Sequence, residues 1–304
     1  SRVLMFSGQG AQYVGMGKEL YDNYEEVRTI FKKADEVLGY SITDIMFHDE
    51  EKLNNTVYTQ VAMFTFYAGI IEVLKKHKIE AYYTCGLSLG EYGAMYYAGV
   101  FDFETGLKIL AKRGQFMDDA SKKVSGKMSA IIGMDPNDLI KYVHQVKGYV
   151  KIANFNTRGQ LVISGESEAV LEVNKLALEN GAKRAILLNT SGPFHTDLMS
   201  EAADNLREYV KDIDFKLPSK ELLVNTTGDF IDGNVRDIMP AQITSSVMFF
   251  QMINKLLENN VNNFIEIGPK TTLCSLVKKI DRKVNTMNVE DIKSLENTIH
   301  KLEV

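Results

Sequence analysis

The stretch Tyr82-Tyr83-Thr84-Cys85-Gly86-Leu87-Ser88-Leu89-Gly90-Glu91-Tyr92 decides the fold. Residues 82–85 form a short β-prone run, and residues 91–98 carry helix-forming side chains. Between them stands Gly-x-Ser-x-Gly, the pattern of a serine on a sharp strand-to-helix turn. Two glycines let the chain reverse without a Cβ in the way. The serine then sits at the head of the helix with its hydroxyl presented. The same residues also suit an ordinary strand-to-helix loop with a capping serine, because serine is a favoured N-cap. In either case a strand feeds directly into a helix.

The flanks continue that alternation. Residues 3–6 are an apolar strand stopped by Ser7-Gly8-Gln9-Gly10. Spacing predicts helices over 17–38, 59–76 and 104–122, strands over 222–225 and 263–267, and helices over 235–243, 249–259 and 271–280. This predicts a mostly parallel sheet with helices on both faces. The middle of the chain has a different order. A strand over 129–134 leads to Asp135-Pro136, an N-cap followed by proline at the first helical position. After that helix come strands over 149–154 and 160–164, a helix over 166–180 closed by Gly181, and a strand over 185–188. β-α-β-β-α-β is the split, ferredoxin-like pattern. It predicts a small domain inserted into a larger one, with a discontinuous host at 1–123 and 193–304 and the insert at 124–192.

Composition narrows the class. The chain has 304 residues, 45% hydrophobic and 25% charged, which argues against disorder and allows a large core without staples. Cys85 and Cys274 cannot build a disulfide framework, and no Cys/His cluster suggests a metal; a reducing cytoplasm is expected. A formal net charge of −5 argues against nucleic acid as a partner. The apolar run over 61–71 is too short to span a bilayer and reads as a buried helix, and no secretory signal is expected from the first residues.

A serine nucleophile needs a base. His77, His144 and His300 lie on polar helical stretches and His48 in an acidic loop, so all four read as surface residues. His195 differs: it lies in Thr190-Ser191-Gly192-Pro193-Phe194-His195-Thr196, a loop between a strand and a long helix, and is either a base or a structural loop histidine. The backbone N–H of Leu89, following the serine, is one candidate oxyanion donor. The loop Gly8-Gln9-Gly10 lies at the same sheet edge and could supply a second, or be a plain turn.

Further motifs make a resemblance. Phe6-Ser7-Gly8-Gln9-Gly10-Ala11-Gln12, Thr59-Gln60, Gly86 to Tyr92, Lys112-Arg113-Gly114-Gln115-Phe116-Met117, Asn154-Phe155-Asn156, Gly192-Pro193-Phe194-His195, Val224-Asn225 and Glu266-Ile267-Gly268-Pro269 occur in order along nearly the whole chain. Together they resemble the malonyl-CoA:acyl-carrier-protein transacylases of fatty acid synthesis and the related acyltransferase domains of polyketide synthases. The resemblance implies an α/β-hydrolase-like domain with a ferredoxin-like insertion. It implies Ser88 as nucleophile, His195 as a base oriented by backbone carbonyls, and the N–H groups of Gln9 and Leu89 as the oxyanion hole. It implies Arg113 as the ligand of a malonyl carboxylate, a role a planar guanidinium suits by making two parallel hydrogen bonds. Gln60, Leu87, Asn156, Phe194 and Met248 would line the substrate site. The substrates implied are malonyl-CoA and acyl carrier protein, with no metal or other cofactor, no membrane, and a monomeric cytoplasmic enzyme. A free-standing polyketide acyltransferase and a serine esterase or thioesterase are the alternatives. Four positions depart from the pattern: Leu87 stands where histidine is usual, Val61 for proline, Lys270 for glycine after Gly268-Pro269, and Met248 for glutamine. If the carbonyl of residue 248 orients His195, Met248 can still serve.

Overall fold

The computed structural model describes residues 1–303. Among these residues ten strands occur in chain order: β1 (Arg2–Phe6), β2 (Tyr83–Gly86), β3 (Gly126–Ile132), β4 (Val150–Thr157), β5 (Gln160–Glu166), β6 (Arg184–Leu187), β7 (Glu221–Val224), β8 (Asp229–Phe230), β9 (Asn263–Ile267) and β10 (Asn285–Val289). The chain divides into two compact units. One comprises Ser1–Gly114, Asp214–Val224 and the chain from Lys255 onward; the other comprises Gln115–Ile213 and Asn225–Asn254.

In the first unit the strands run β10-β9-β1-β2-β7, all neighbours parallel. β1 is central, and its residues Val3 to Phe6 are fully buried. Buried on both faces, such a strand reads as a continuous apolar run rather than an alternating one. Register sets Phe6 level with Gly86 on one side and Ile267 on the other, so three strands end together. Crevices beyond such carboxyl ends are where open α/β sheets bind ligands. The helix Thr56–Lys76 is long and apolar enough to cross a membrane by composition, but 83% of its most apolar window is buried within the protein. It is a core helix.

The second unit contains the β3-α-β4-β5-α-β6 run, with β8 in its later segment. Its four-stranded sheet has the order β4-β5-β3-β6 and every neighbouring pair is antiparallel. Asp135 caps the helix Pro136–Gln145 by accepting the Asn137 N–H at 2.9 Å. Ile131, Ile152, Leu161 and Ile163 of the sheet bury against Leu139, Val143, Val170 and Val173 of its two helices.

Several local expectations are corrected. The single helix expected over 17–38 is two, Lys18–Asn23 and Glu25–Leu38, separated by Tyr24 in an extended conformation. Apolar periodicity passes through that break, and neither glycine nor proline marks it. The acidic loop expected around His48 is helical: Ser41 caps Ile42–His48 by accepting Asp44 N–H at 3.0 Å, and Asp49 caps Glu50–Leu53. His48 is nonetheless exposed. Strand β10 and the helix Ile292–Glu303 were not anticipated, because a polar edge strand carries a weak apolar signal.

Candidate active site

Within the first unit, the turn after β2 is held by backbone. Leu87 N–H donates to the Phe6 carbonyl at 3.1 Å, tying the turn to the end of β1, and Gly90 N–H returns to the Leu87 carbonyl at 3.0 Å. Ser88 takes φ 55°, a left-handed conformation uncommon for a residue with a Cβ. The helix Gly90–Tyr97 begins two residues later. A methyl on Gly90 would lie 2.1 Å from the Phe6 carbonyl oxygen, and one on Gly86 would lie 2.1 Å from the Gly90 carbonyl carbon. Both positions therefore admit only glycine. Leu89 is buried, while Leu87 and Ser88 are half-buried.

The loop after β1 lies against this turn: the Cβ position of Gly8 is 2.8 Å from the Leu87 carbonyl oxygen. Gln9, next in that loop, is fixed by its side-chain amide, which donates to Thr56 Oγ1 at 3.0 Å. Arg113 is completely buried. Its Nη1 donates to Gln60 Oε1 at 2.9 Å, and its guanidinium carbon lies 5.2 Å from the centre of the Tyr92 ring. Burial lowers the Arg113 pKa from the ordinary guanidinium value, yet arginine remains a cation across the accessible pH range. Gln60 and Tyr92 thus hold a charged planar fork inside the same unit as Ser88.

Within the second unit, His195 is 4% exposed and has φ 61°. Its Nδ1 lies 3.1 Å from the carbonyl oxygen of Gln242. A carbonyl only accepts, so Nδ1 is the donor in this contact, which makes Nε2 the acceptor nitrogen of the neutral tautomer. The Gln242 carbonyl belongs to the last turn of the helix Val235–Thr244, where the fourth residue on lies outside the helix; it accepts the capping N–H of Ser245 at 3.3 Å and has a second lone pair for the histidine. Gln242 is positioned in turn by its side-chain amide, 3.4 Å from Asn225 Oδ1. Met248 makes two backbone hydrogen bonds of its own. Its N–H donates to the Asn225 carbonyl at 2.9 Å, and its own carbonyl accepts the helical N–H of Met252 at 3.1 Å. Phe155 N–H donates to the Val247 carbonyl at 2.9 Å, which brings the segment holding Asn156 beside the one holding Met248. Phe194 is 5% exposed and precedes His195 directly.

The acyl transferase domain family matches residues 3–297. The chain belongs to that family. The malonyl CoA-acyl carrier protein transacylase of Bacillus subtilis (strain 168) is 39% identical to it, over 99% of this chain and 96% of that protein. The crystal structure of the malonyl CoA-acyl carrier protein transacylase from Clostridium perfringens superposes with a TM-score of 0.96 at 39% identity, covering 100% of this chain and 97% of the other. A malonyl-transacylase solved in complex with a type II polyketide-synthase acyl-carrier protein superposes with a TM-score of 0.96 at 32% identity, covering 99% of each chain.

Of the residues that the sequence of this acyltransferase singled out, the structure puts Ser88, Leu87, Leu89, Gln9, Gln60 and Arg113 in the first unit and His195, Phe194, Asn156 and Met248 in the second. Sequence reasoning missed Gln242, whose contribution is a main-chain carbonyl and carries no residue-type signal. It also missed Tyr92 as the ring beneath Arg113, although Tyr92 closes the quoted turn motif. A further buried acid stands near the sheet edge. Glu266, on β9, accepts the N–H groups of Leu273 and Cys274 at 3.2 and 2.9 Å, capping the helix Thr272–Ile280. Its carboxyl is nevertheless pushed up to about 7, mainly by burial.

Proposed function

We propose that this acyltransferase moves a malonyl group from malonyl-CoA to the phosphopantetheine thiol of an acyl carrier protein, by a ping-pong route through an ester on Ser88 that supplies fatty acid synthesis. The observation that carries the choice of acyl group is Arg113: a wholly buried guanidinium, braced by Gln60 and stacked over Tyr92, in the unit that presents the strained Ser88. A buried cationic fork favours an acyl group that brings its own carboxylate and disfavours one that does not.

In the first half-reaction Ser88 Oγ attacks the thioester carbonyl while His195 Nε2 takes the hydroxyl proton. The N–H groups of Gln9 and Leu89 stabilise the oxyanion, helped by the positive end of the helix Gly90–Tyr97. The carbon–sulfur bond breaks, His195 returns the proton to the departing coenzyme A sulfur, and malonyl-Ser88 remains. In the second half-reaction the carrier-protein thiol gives its proton to His195 and its sulfur attacks the ester. The carbon–oxygen bond to Ser88 breaks, and Ser88 regains the proton. The imidazolium formed midway is favoured by the Gln242 carbonyl and by the negative end of the helix Val235–Thr244. Gln60, Leu87, Phe194, Asn156 and Met248 line the substrate site in this reading. The steps close with serine, histidine and arginine chemistry, so no metal or redox cofactor is invoked.

We read the parallel-sheet host as α/β-hydrolase-like, spanning 1–123 and 193–304. Residues 124–192 are its ferredoxin-like insert, a reading supported by the β-α-β-β-α-β order and the antiparallel β4-β5-β3-β6 arrangement. The enzyme is proposed to act as a cytoplasmic monomer. The test is radiolabelled malonyl-CoA with and without carrier protein: label should move to the carrier protein. Free malonate released at the same rate in both mixtures would instead establish a serine thioesterase. A carrier protein of polyketide type is the second acceptor to try, because one structural relative is bound to one.

A further inference from the structure

Among the described residues, five other than glycine have positive φ: Lys78, Ser88, His195, Asn260 and Lys270. Two have an ordinary cause. Lys78 and Asn260 follow helices, and the bonds Ile79 N–H to Leu74 O and Val261 N–H to Leu256 O close each end in the six-to-one pattern that uses a left-handed residue. Ser88 and His195 are the proposed nucleophile and base. Lys270 is the fifth, with φ 67°. It precedes a helix rather than following one, so no helix end demands its conformation. Glycine would adopt it without strain, and a strained residue retained where glycine would serve points to use of its side chain.

Its position suggests that use. Lys270 follows β9, whose end is level with those of β1 and β2. Gly268 packs on Ser7 of the β1 loop, its Cβ position 2.2 Å from Ser7 Oγ, and Gly8 packs on Leu87 beside Ser88. The Lys270 loop is therefore two strand spacings from the serine, about 10 Å across the sheet edge. Its side chain is exposed, and no ion pair or hydrogen bond holds its ammonium among the described residues. The substrates of the proposed reaction carry phosphate at the far end of a pantetheine arm, about 15 Å from the sulfur when extended at ~1.2 Å per bond. A lysine reaching about 6 Å beyond a loop 10 Å from the reacting serine matches that span.

We propose that Lys270 binds the phosphate at the end of the pantetheine arm, the chemistry shared by coenzyme A and a phosphopantetheinyl carrier protein. This rests on the malonyl-transfer reading and adds to it a group that recognises the substrate's anionic end, remote from the bond that changes.

The test measures calorimetric affinity for free coenzyme A and for phosphate-free pantetheine with the wild type, Lys270→Met and Lys270→Gly. Both variants should bind coenzyme A about fivefold more weakly, as expected for loss of one exposed charge contact, with pantetheine unchanged. The salt dependence of coenzyme A binding should become shallower in both. Coenzyme A affinity equal to wild type in Lys270→Met overturns the proposal. Weakening in Lys270→Gly alone overturns it too, since the backbone would then be the cause. Equal weakening for pantetheine would mean general damage to the site and also refute it. The transfer reading fails on a different observation, absence of a malonyl adduct on wild-type Ser88.

Discussion

Replacing Arg113 with alanine tests the acyl selectivity most directly. The side chain is fully buried, donates to Gln60 at 2.9 Å and lies over Tyr92. Its removal costs transition-state binding of malonyl twice over: the paired hydrogen bonds to the carboxylate vanish, and that carboxylate must then enter a buried site with no countercharge. Truncating one partner of a buried charged pair costs about 3–5 kcal/mol, or roughly 10²- to 10³-fold and more in kcat/KM at 1.36 kcal/mol per tenfold. An acetyl group has no carboxylate to lose, so its kcat/KM should hold or rise. The malonyl-to-acetyl ratio should therefore fall by at least about 100-fold. Gln60 Oε1 also loses its donor inside the protein, so the variant should lose about 1–3 kcal/mol of stability. Arg113→Lys separates charge from shape: a point charge should restore part of the ratio, because the parallel bidentate geometry is gone. The assay is initial rates on a panel of malonyl-CoA and acetyl-CoA with one carrier protein, with intact mass reporting the Ser88 adduct. An unchanged malonyl-to-acetyl ratio in an Arg113→Ala protein that still forms an acyl adduct would refute the carboxylate clamp.

Ser88→Ala should abolish the malonyl adduct, and an adduct of unchanged mass on the variant would move the nucleophile elsewhere. Gly90→Ala forces a carbon to within 2.1 Å of the Phe6 carbonyl oxygen; the expected result is loss of more than about 3 kcal/mol in denaturant titration, and a midpoint within error of wild type would contradict the close packing of the turn. Glu266 titrates at about 7 in the folded protein against an ordinary value of 4.5. Its raised value means the protonated form is favoured on folding, so stability should fall as pH rises from 4.5 through 7, by about 3 kcal/mol at 1.36 per unit. Glu266→Gln should flatten that part of the stability profile; a slope that persists unchanged in the variant would assign it to another group.

The strand-turn-helix around Ser88, the βαββαβ order and the parallel alternation at the chain's ends were legible because each depends on neighbours in sequence. A turn needing two glycines, a cap of Asp135 before Pro136, and apolar runs stopped by polar loops are local chemistry. Helix boundaries without a chemical mark were not legible: the break at Tyr24 interrupts no apolar period, and β10 is a polar edge strand. Among the site residues, Ser88 and His195 stood out by type and loop context, and Arg113 only through its motif, since an arginine on a helix is ordinarily a surface charge. Its complete burial depends on the helix Phe103–Ser121 turning that residue toward Gln60 and Tyr92, which are separated from it by 53 and 21 positions. The acceptor on His195 is a main-chain carbonyl 47 residues away, and its availability follows from where the helix Val235–Thr244 ends. By itself the sequence determined which groups could react. The tertiary structure decided which of them are buried, which tautomer the histidine carries, and that Lys270 is held in the conformation of a glycine, because burial, hydrogen-bond partners and backbone strain arise only when distant segments meet.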